Sequence, residues 1–454
     1  MKYRIEKDSI GEIKVDNAKY WGAQTQRSLE NFVISQEIMP TTLIHAIAAV
    51  KIAAAKANLG LKKIDNKRAK AIIEAGYTIL KDKLNDQFPL KIWQTGSGTQ
   101  TNMNVNEVIA QYANKLLKET LVHPNDHVNM SQSSNDVFPT AIHVAVCQTI
   151  TKKLIPSLND LIIAFKKLEK KFANIIKIGR THLQDATPIL LSQEISAWRT
   201  SLENCSVQLS NSINSLYELP LGGTAVGTGL NAPKNFDKLA VKNLADIYSL
   251  PFKVMNNKFD GLAFKERVAS VHAQLKVLST TLYKIANDIR FLGSGPRAGI
   301  GELILPANEP GSSIMPGKVN PTQSEAMMMV CTQVMGNDVT VSFAASQGNY
   351  ELNTFMPVIA YDTLWSIQLL TDAMNSFNHK CVSGIEVNKT KIDYNLNNSL
   401  MLVTALSPKI GYAKAAEIAK YAHKHDLTLK EAALKSGYIN ENDFDKLVDP
   451  KKMV

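Results

Sequence analysis

Residues Gly311–Glu325 read GSSIMPGKVNPTQSE. Two adjacent hydroxyls, Ser312 and Ser313, are followed by a predicted turn at Pro316-Gly317 and by the ammonium group of Lys318. Hydroxyls, an ammonium and free backbone N–H groups can hold a small carboxylate and stabilise negative charge that develops on it. The segment therefore predicts an anion site. The alternative interpretation, based on the turn-forming residues alone, is that the segment is a polar connector between two helices.

The end of this segment predicts the start of a long helix over about residues 321–346. Asn320 has the chemistry of an N-cap, and Pro321 suits the first helical position, where its missing N–H costs nothing. Three polar residues interrupt the most apolar window, residues 326–345: Gln333, Asn337 and Asp338. The helix is therefore predicted to be buried in a protein core rather than to span a membrane.

Further long helices with apolar residues at alternating spacings of three and four are predicted on either side of this helix. Such spacing marks the seam of near-parallel helix packing. The three clearest seams are Leu158, Leu161, Phe165, Leu168 and Phe172; Leu191, Ile195, Trp198, Leu202, Cys205 and Leu209; and Val271, Leu275, Leu278, Leu282, Ile285, Ile289 and Leu292. With the helix over 321–346 and another over about 357–380, they predict a bundle of five long helices and an oligomer core. Pro156 is expected to kink or split the first helix.

The predicted secondary structure changes at two places along the chain, and a length of 454 residues suits about three domains. Residues 1–136 are predicted to form a mixed, mostly helical domain, with short strand-like pieces followed by helices over 41–61, 67–83 and 102–118. The bundle occupies residues 137–389. Shorter helices over 390–454 predict a small C-terminal domain. The predicted fold class is therefore mainly α.

Composition restricts the classes of function. The four cysteines show no CxxC spacing, which argues against a disulfide framework, structural zinc and an iron–sulfur cluster. The net charge of +10 indicates a basic, solvated surface or attraction of dianionic substrates, and no nucleic-acid motif accompanies it. The N-terminal sequence MKYRIEKDSI has no apolar or Arg/Ser-rich leader, so the cytoplasm is the expected compartment.

Four segments share one design, a polar hydroxyl or amide loop directly before a predicted helix. They are Gly96–Asn102, Ser131–Asp136, Gly179–Thr187 and Gly311–Asn320. Free N–H groups and the helix dipole favour an anion at such a place, although a single loop of this kind would indicate simple capping. A glycine-rich stretch, GGTAVGTG at residues 222–229, fits no nucleotide-binding pattern and predicts a tight turn.

The segment GSSIMPGKVNP resembles the signature loop of the fumarase/aspartase superfamily, and its continuation TQSEA at residues 322–326 is similar to that of class II fumarases. The resemblance runs from Ile5 to about Val454. It implies a three-domain, mainly α fold with a central five-helix bundle, and a homotetramer whose active sites combine three chains. It also implies a lyase of the tricarboxylic acid cycle that needs no metal or other cofactor. Such an enzyme interconverts (S)-malate and fumarate by anti elimination and addition of water, through a carbanion (aci-carboxylate) intermediate.

The same resemblance implies roles for individual residues. Ser312 matches the base that removes the C3 proton, Lys318 stabilises the resulting charge, and His182, paired with Glu325, handles the water. The expected substrate contacts are Ser97, Thr99, Ser133, Ser134, Asn135, Thr181, Ser313, Lys318 and Asn320. A second, non-catalytic dicarboxylate site is expected at His123, Asn125 and Asp126. Thr120 stands where some relatives have a basic residue.

His182, in GRTHLQDATP, separates the candidate reactions. Hydroxide is a poor leaving group that needs a proton donor near neutral pH, and histidine suits that task. Aspartase is the runner-up within the enzyme class. His182 argues against it, because aspartases have glutamine at this place, and so does the TQSE continuation. Lyases acting on argininosuccinate or adenylosuccinate diverge after the GSS. A non-catalytic helical scaffold, as in lens structural proteins of the superfamily, is the alternative from another class. For Glu325, the alternative is a surface glutamate at a helix start.

Overall fold

Helices dominate the computed structural model, which describes residues 3–454. The α-helices are α1 Ala23–Asn31, α2 Thr41–Gly60, α3 Asn66–Leu80, α4 Thr99–Leu117, α5 Ser134–Thr149, α6 Ile155–Lys171, α7 Leu191–Ser212, α8 Phe236–Tyr248, α9 Lys258–Ala263, α10 Glu266–Leu292, α11 Thr322–Ala345, α12 Met356–Lys380, α13 Lys389–Asn398, α14 Ser407–Ile410, α15 Tyr412–His425, α16 Leu429–Ser436 and α17 Glu441–Leu447. This confirms the mainly α fold class.

The strands pair two by two in small sheets. They are β1 Tyr3–Lys7, β2 Glu12–Asp16, β3 Ile176–Thr181, β4 Gln184–Leu190, β5 Glu218–Leu219, β6 Lys253–Val254, β7 Leu303–Ile304 and β8 Glu386–Val387. The pairs β1–β2, β3–β4 and β7–β8 are antiparallel, and β5–β6 is parallel. Only β3–β4 carries predicted site residues.

The five predicted long helices are present, the first of them as α5 and α6. These two join without a break through a π-helical turn, Ile150–Leu154, in which the N–H of Ile155 bonds to the carbonyl of Ile150. Pro156 lacks an N–H and cannot continue a regular helical ladder, and the widened turn lies directly before it. The proline is absorbed by a local change of helix type rather than by a split.

Polar contacts link the long helices across their seams. Arg199 of α7 bonds to Glu169 of α6, with Nε 2.7 Å from Oε2, and the Trp198 indole donates to Asp288 of α10 at 3.2 Å. Nearer the start of α10, the buried His272 contacts Asp338 of α11 at 3.1 Å and Ser366 of α12 at 2.9 Å. The contacts of His272 are buried, and buried polar contacts favour one register of helix packing. The spacing of apolar residues in the sequence does not determine how the helices are aligned with one another.

The described residues pack into two compact units. The first combines the chain up to Pro156 with Cys205–Ser279 and Cys331–Thr371, and the second combines Ser157–Asn204, Thr280–Val330 and Asp372–Val454. Long helices such as α10 contribute to both. The division into domains 1–136, 137–389 and 390–454 stays a prediction.

Helix α2 is long and apolar enough, by length and composition, to cross a membrane. In the fold, however, 78% of its most apolar window is buried against other parts of the protein. Ile47, Ile52 and the alanines around them lie in the core of the first unit. The helix therefore packs as a core helix of a soluble protein does.

Candidate active site

The loop Gly96–Asn102 bends sharply into α4, which begins at Thr99, three residues earlier than predicted. Gly98 makes the bend with φ of 72°, and a Cβ there would lie 2.2 Å from the ring of Phe138. The hydroxyls of Ser97 and Thr99 are 2.8 Å apart at the start of the helix. Both predicted contacts therefore sit beside free helix N–H groups, where an anion is favoured.

The second loop caps α5. The Ser133 side chain accepts the N–H of Asn135 at 3.2 Å, and Asp136 accepts the N–H of Ser133 at 2.8 Å, which completes a capping box. Asn102 of the first loop donates to the hydroxyl of Ser134 at 3.0 Å. The fold thus brings the first two predicted loops together, although more than 30 positions separate them along the chain.

Asp136 has a second role that sequence reasoning missed. Its other carboxylate oxygen accepts the backbone N–H groups of Gly222 at 2.8 Å and Thr224 at 3.0 Å. Burial raises the pKa of this carboxyl to about 6, although these hydrogen bonds oppose the shift. The glycine-rich turn at residues 222–229 therefore holds the second loop in place through hydrogen bonds to Asp136. No short sequence motif marks this role.

The third predicted loop, Gly179–Thr187, is a β-hairpin, so its description as a loop directly before a helix was wrong. His182 and Leu183 form the two-residue turn between β3 and β4, with φ of 56° and 60°. Thr181 and His182 are exposed at this tip. The helix that follows, α7, starts only after β4, so its N-terminus does not adjoin the histidine. The alternation of Ile176, Lys177 and Ile178 in IIKIGR, residues 175–180, was the available signal for a strand.

A buried ion-pair cluster holds the base of this hairpin. Glu302 is 1% exposed and accepts both guanidinium nitrogens of Arg180, at 3.1 and 2.6 Å. The ammonium of Lys177 lies 3.2 Å from Glu302 and 2.8 Å from Glu194. Burial alone would raise the pKa of the Glu302 carboxyl, but its hydrogen bonds to Arg180 and the nearby Lys177 charge hold it below the usual value. Sequence reasoning did not identify this cluster.

The fourth loop closes on itself. The N–H of Gly311 bonds to the carbonyl of Lys318 at 2.9 Å, and the Asn320 amide donates to the carbonyl of Gly311 at 2.6 Å. Asn320 therefore closes the loop instead of capping the helix as predicted, and α11 begins at Thr322. The amide has a closer partner in Gly311 because the turn brings the two ends of the loop together.

Ser312 accepts two backbone N–H groups within this loop. Its hydroxyl oxygen lies 3.0 Å from the nitrogen of Met315 and 3.3 Å from that of Ile314. Ser312 is half-buried, whereas Ser313 and Lys318 are exposed. Two N–H donors on one hydroxyl oxygen stabilise negative charge on that oxygen.

The remaining predicted residues lie outside the four segments along the chain. Glu325 is exposed in the first turn of α11. His123 caps a π-helical turn, Pro124–Val128, and its Nδ1 lies 3.2 Å from a carboxylate oxygen of Asp126. His123 and Asn125 line a cavity of about 490 Å³, which Thr120 also lines together with the acidic residues Glu6 and Asp8. At position 120, where the family resemblance leads us to expect a basic residue in some relatives, this chain has a threonine.

Comparison with known proteins gives matches over the whole chain. A family model described as lyase matches residues 11–336, and one described as fumarase C C-terminus matches residues 402–454. A class II fumarate hydratase of Campylobacter jejuni is 55% identical over 459 residues, which cover 100% of this chain and 99% of that protein. One of Helicobacter pylori is 56% identical with the same coverage. The crystal structure of a class II fumarase from Schistosoma mansoni matches with a TM-score of 0.97 at 42% identity, over 100% of this chain and 99% of the other.

Proposed function

The chain belongs to the class II fumarase family, and we propose that several copies of the chain build each dicarboxylate site, to which they contribute the loops at residues 96–102, 131–136 and 311–320 and the hairpin turn at His182. It is a lyase, a fumarate hydratase that interconverts (S)-malate and fumarate by reversible anti addition and elimination of water. Identity above half over the whole length supports the reaction. The observation that supports the site most directly is the Ser312 hydroxyl, which accepts two backbone N–H groups.

The hardest step is removal of the malate C3 proton, because it places a second negative charge on the neighbouring carboxylate. A positioned acid or base contributes about 10²–10⁴-fold to the rate. Each preorganised donor to a developing oxyanion contributes about 2.7–4 kcal/mol. Several donors around the dianion therefore outweigh any single proton transfer. Lys318, Asn320 and the N–H groups of the fourth loop are the proposed donors.

Ser312 is the proposed base. A serine hydroxyl is a very weak base unless its anion is stabilised. The N–H groups of Ile314 and Met315 already point at its oxygen. The Lys318 ammonium, in the same closed loop, adds positive charge. Ser312 accepts the C3 proton, and the developing aci-carboxylate is held by the donors of the loop.

His182 is the proposed donor to the departing hydroxide, with Glu325 as its partner. Departure of hydroxide needs a proton at that moment, and an imidazole can supply one near neutral pH. The hairpin turn exposes His182 to solvent, from which water enters in the hydration direction. The proposed contacts to the substrate carboxylates are Ser97, Thr99, Ser133, Ser134, Asn135, Thr181, Ser313, Lys318 and Asn320. We propose a second, weak dicarboxylate site at His123, Asn125 and Asp126.

The family is oligomeric, and we propose a homotetramer in the cytoplasm that serves the tricarboxylic acid cycle. Helix α11 supports the assembly, because it is apolar on its outer face as well as on its buried face. Met329, Val339 and Phe343 on this outer face are 68%, 69% and 67% exposed in the single chain. Apolar surface of this extent is covered by other subunits in stable oligomers.

The reaction and the site are tested by one set of assays. (S)-malate is added to the purified protein and the ultraviolet absorbance of fumarate is followed. The wild type is expected to form fumarate, and Ser312→Ala, His182→Asn and Lys318→Ala are expected to lose about 10²–10⁴-fold in rate. Absence of fumarate with the wild type would reject the reaction. Full activity in the variants would reject the site. Release of ammonia from aspartate would point to aspartase instead.

A further inference from the structure

Lys51 of α2 is a buried cation whose hydrogen-bond partners are amides. It is 0% exposed, and its ammonium donates to the side-chain oxygens of Asn129 at 3.0 Å and Gln132 at 2.9 Å. Within residues 3–454 no carboxylate lies at ion-pair distance from it, and the nearby charge that opposes its loss of a proton is that of Asp136. Burial lowers the pKa of Lys51 to about 7. Burying an ammonium without an ion-pair partner destabilises a fold, so packing does not account for a lysine at this position.

The hydrogen bonds of Lys51 continue to a predicted substrate contact. The oxygen of Asn129 that accepts from Lys51 also accepts from the amide nitrogen of Asn102 at 3.2 Å. The same nitrogen of Asn102 donates to the hydroxyl oxygen of Ser134 at 3.0 Å. An amide nitrogen carries two hydrogens, so Asn102 satisfies both acceptors at once. Asn106 donates to the same Asn129 oxygen at 3.2 Å.

This arrangement determines the direction of the hydrogen bonds. An ammonium can only donate, so the side-chain oxygen of Asn129 has to face Lys51. The amide nitrogen of Asn102 then has to face Asn129, and with it Ser134. Because the Ser134 oxygen accepts from Asn102, its own hydrogen remains available to another acceptor. A carboxylate, which only accepts, is the chemical match for it.

We propose that Lys51 is a positioning residue for dicarboxylate binding, which acts through Asn129 and Asn102 to keep the Ser134 hydroxyl oriented as a donor to a substrate carboxylate. The proposal rests on the proposed function, because it takes Ser134 as a substrate contact. Lys51 itself does not touch the substrate.

Substitution of Lys51 by methionine tests the proposal, because it keeps the length of the side chain and removes the charge and the donors. A charged hydrogen bond contributes enough for its loss to raise the KM for fumarate about tenfold or more. We expect kcat to change much less, since the Ser134 contact is made in the ground state and in the transition state alike. The thermal midpoint is expected to stay level or to rise, because an unpaired buried charge is removed.

Lys56 provides the matched control on the same helix. It is half-buried, and its ammonium donates to the Tyr77 hydroxyl at 3.2 Å, away from the loops. Lys56→Met is expected to leave KM within about twofold of the wild type, as distant surface changes do. If Lys51→Met fails to fold, Lys51→Gln replaces it, because the amide keeps a donor but not the charge.

A double-mutant cycle with Ser134→Ala separates positioning from general stability. If Lys51 acts through Ser134, the rise in KM of the double variant is expected to match that of Ser134→Ala alone. The proposal would be overturned if the increases in KM of the two single variants multiplied in the double variant. It would also be overturned by an unchanged KM in folded Lys51→Met, whether or not the thermal midpoint is lowered. An inactive wild type would instead reject the proposed function, and this inference with it.

Discussion

At the scale of single residues, the cluster around Glu302 shows what the sequence hides. Arg180 and Glu302 are 122 positions apart, and Lys177, on the same strand as Arg180, contacts the same carboxylate. The residues around Arg180 and Glu302 in the sequence carry no pattern that predicts this ion pair. In contrast, Ser312, Lys318 and Asn320 lie within one segment whose residue types already suit an anion site. The loop could therefore be predicted in advance, whereas the support of the hairpin could not.

We predict that Glu302→Gln lowers the free energy of unfolding by about 3–5 kcal/mol, because it leaves the Arg180 guanidinium without its carboxylate and the buried Lys177 with Glu194 as its remaining ion-pair partner. Urea unfolding of the purified variant measures this. Glu386→Gln is the control, since the Glu386 pair with Lys171 is exposed and such pairs contribute about 0–1 kcal/mol. Equal losses in both variants would contradict the assigned role of burial.

At the scale of elements, helices were predictable and the hairpin was not. Apolar residues at alternating spacings of three and four form a local pattern, so a single sequence is enough to predict the long helices. The β3–β4 turn has positive φ at His182 and Leu183, which type I′ turns require and which Asn-Gly usually supplies. A histidine and a leucine at these places give no turn signal. The turn geometry is therefore held by the surrounding structure rather than by local preference.

Relief of this strain is testable at Leu183, which is 69% exposed. We predict that Leu183→Gly raises the free energy of unfolding by roughly 0.5–1 kcal/mol, since removing left-handed strain outweighs the added freedom of the unfolded chain. Differential scanning calorimetry measures the change. Leu230→Gly is the control, because Leu230 is 66% exposed without a positive φ. Destabilisation of the same size in both variants would refute the strain argument.

Helix α5 carries a built-in pH dependence at His143. Burial, together with the nearby cations Lys265 and Arg267, lowers the pKa of this histidine to about 4. Between pH 6.5 and pH 4 the unfolded chain binds a proton there that the folded chain does not, so stability falls as the pH decreases. We predict a loss of up to about 3 kcal/mol over this range, measured by urea unfolding. His143→Gln is expected to flatten the curve, and exposed His423→Gln is expected to leave it unchanged. A steep curve in the His143 variant would contradict the assignment.

At the scale of the whole molecule, the apolar outer face of α11 is the feature that a single chain leaves unexplained. We predict that Val339→Glu with Phe343→Glu breaks the proposed tetramer, because buried, unpaired carboxylates are costly at a subunit interface. Light scattering of the eluting peak measures the mass. Lys170→Glu on the solvated face of α6 is expected to keep the tetramer. A tetramer in the double variant would place the interface elsewhere. The seams indicated an oligomer core, but they could not count its subunits.

The role of Ser312 as the base is tested most directly by following the C3 proton itself. Fumarate is hydrated in deuterium oxide and the malate is examined by proton NMR. We predict a single deuterium in one of the two C3 positions with the wild type, and a rate about 10²–10⁴-fold lower with Ser312→Ala. Ser436→Ala, at the end of α16, is expected to react at the wild-type rate. Deuterium in both C3 positions, or a Ser312→Ala rate equal to that of the wild type, would contradict the account.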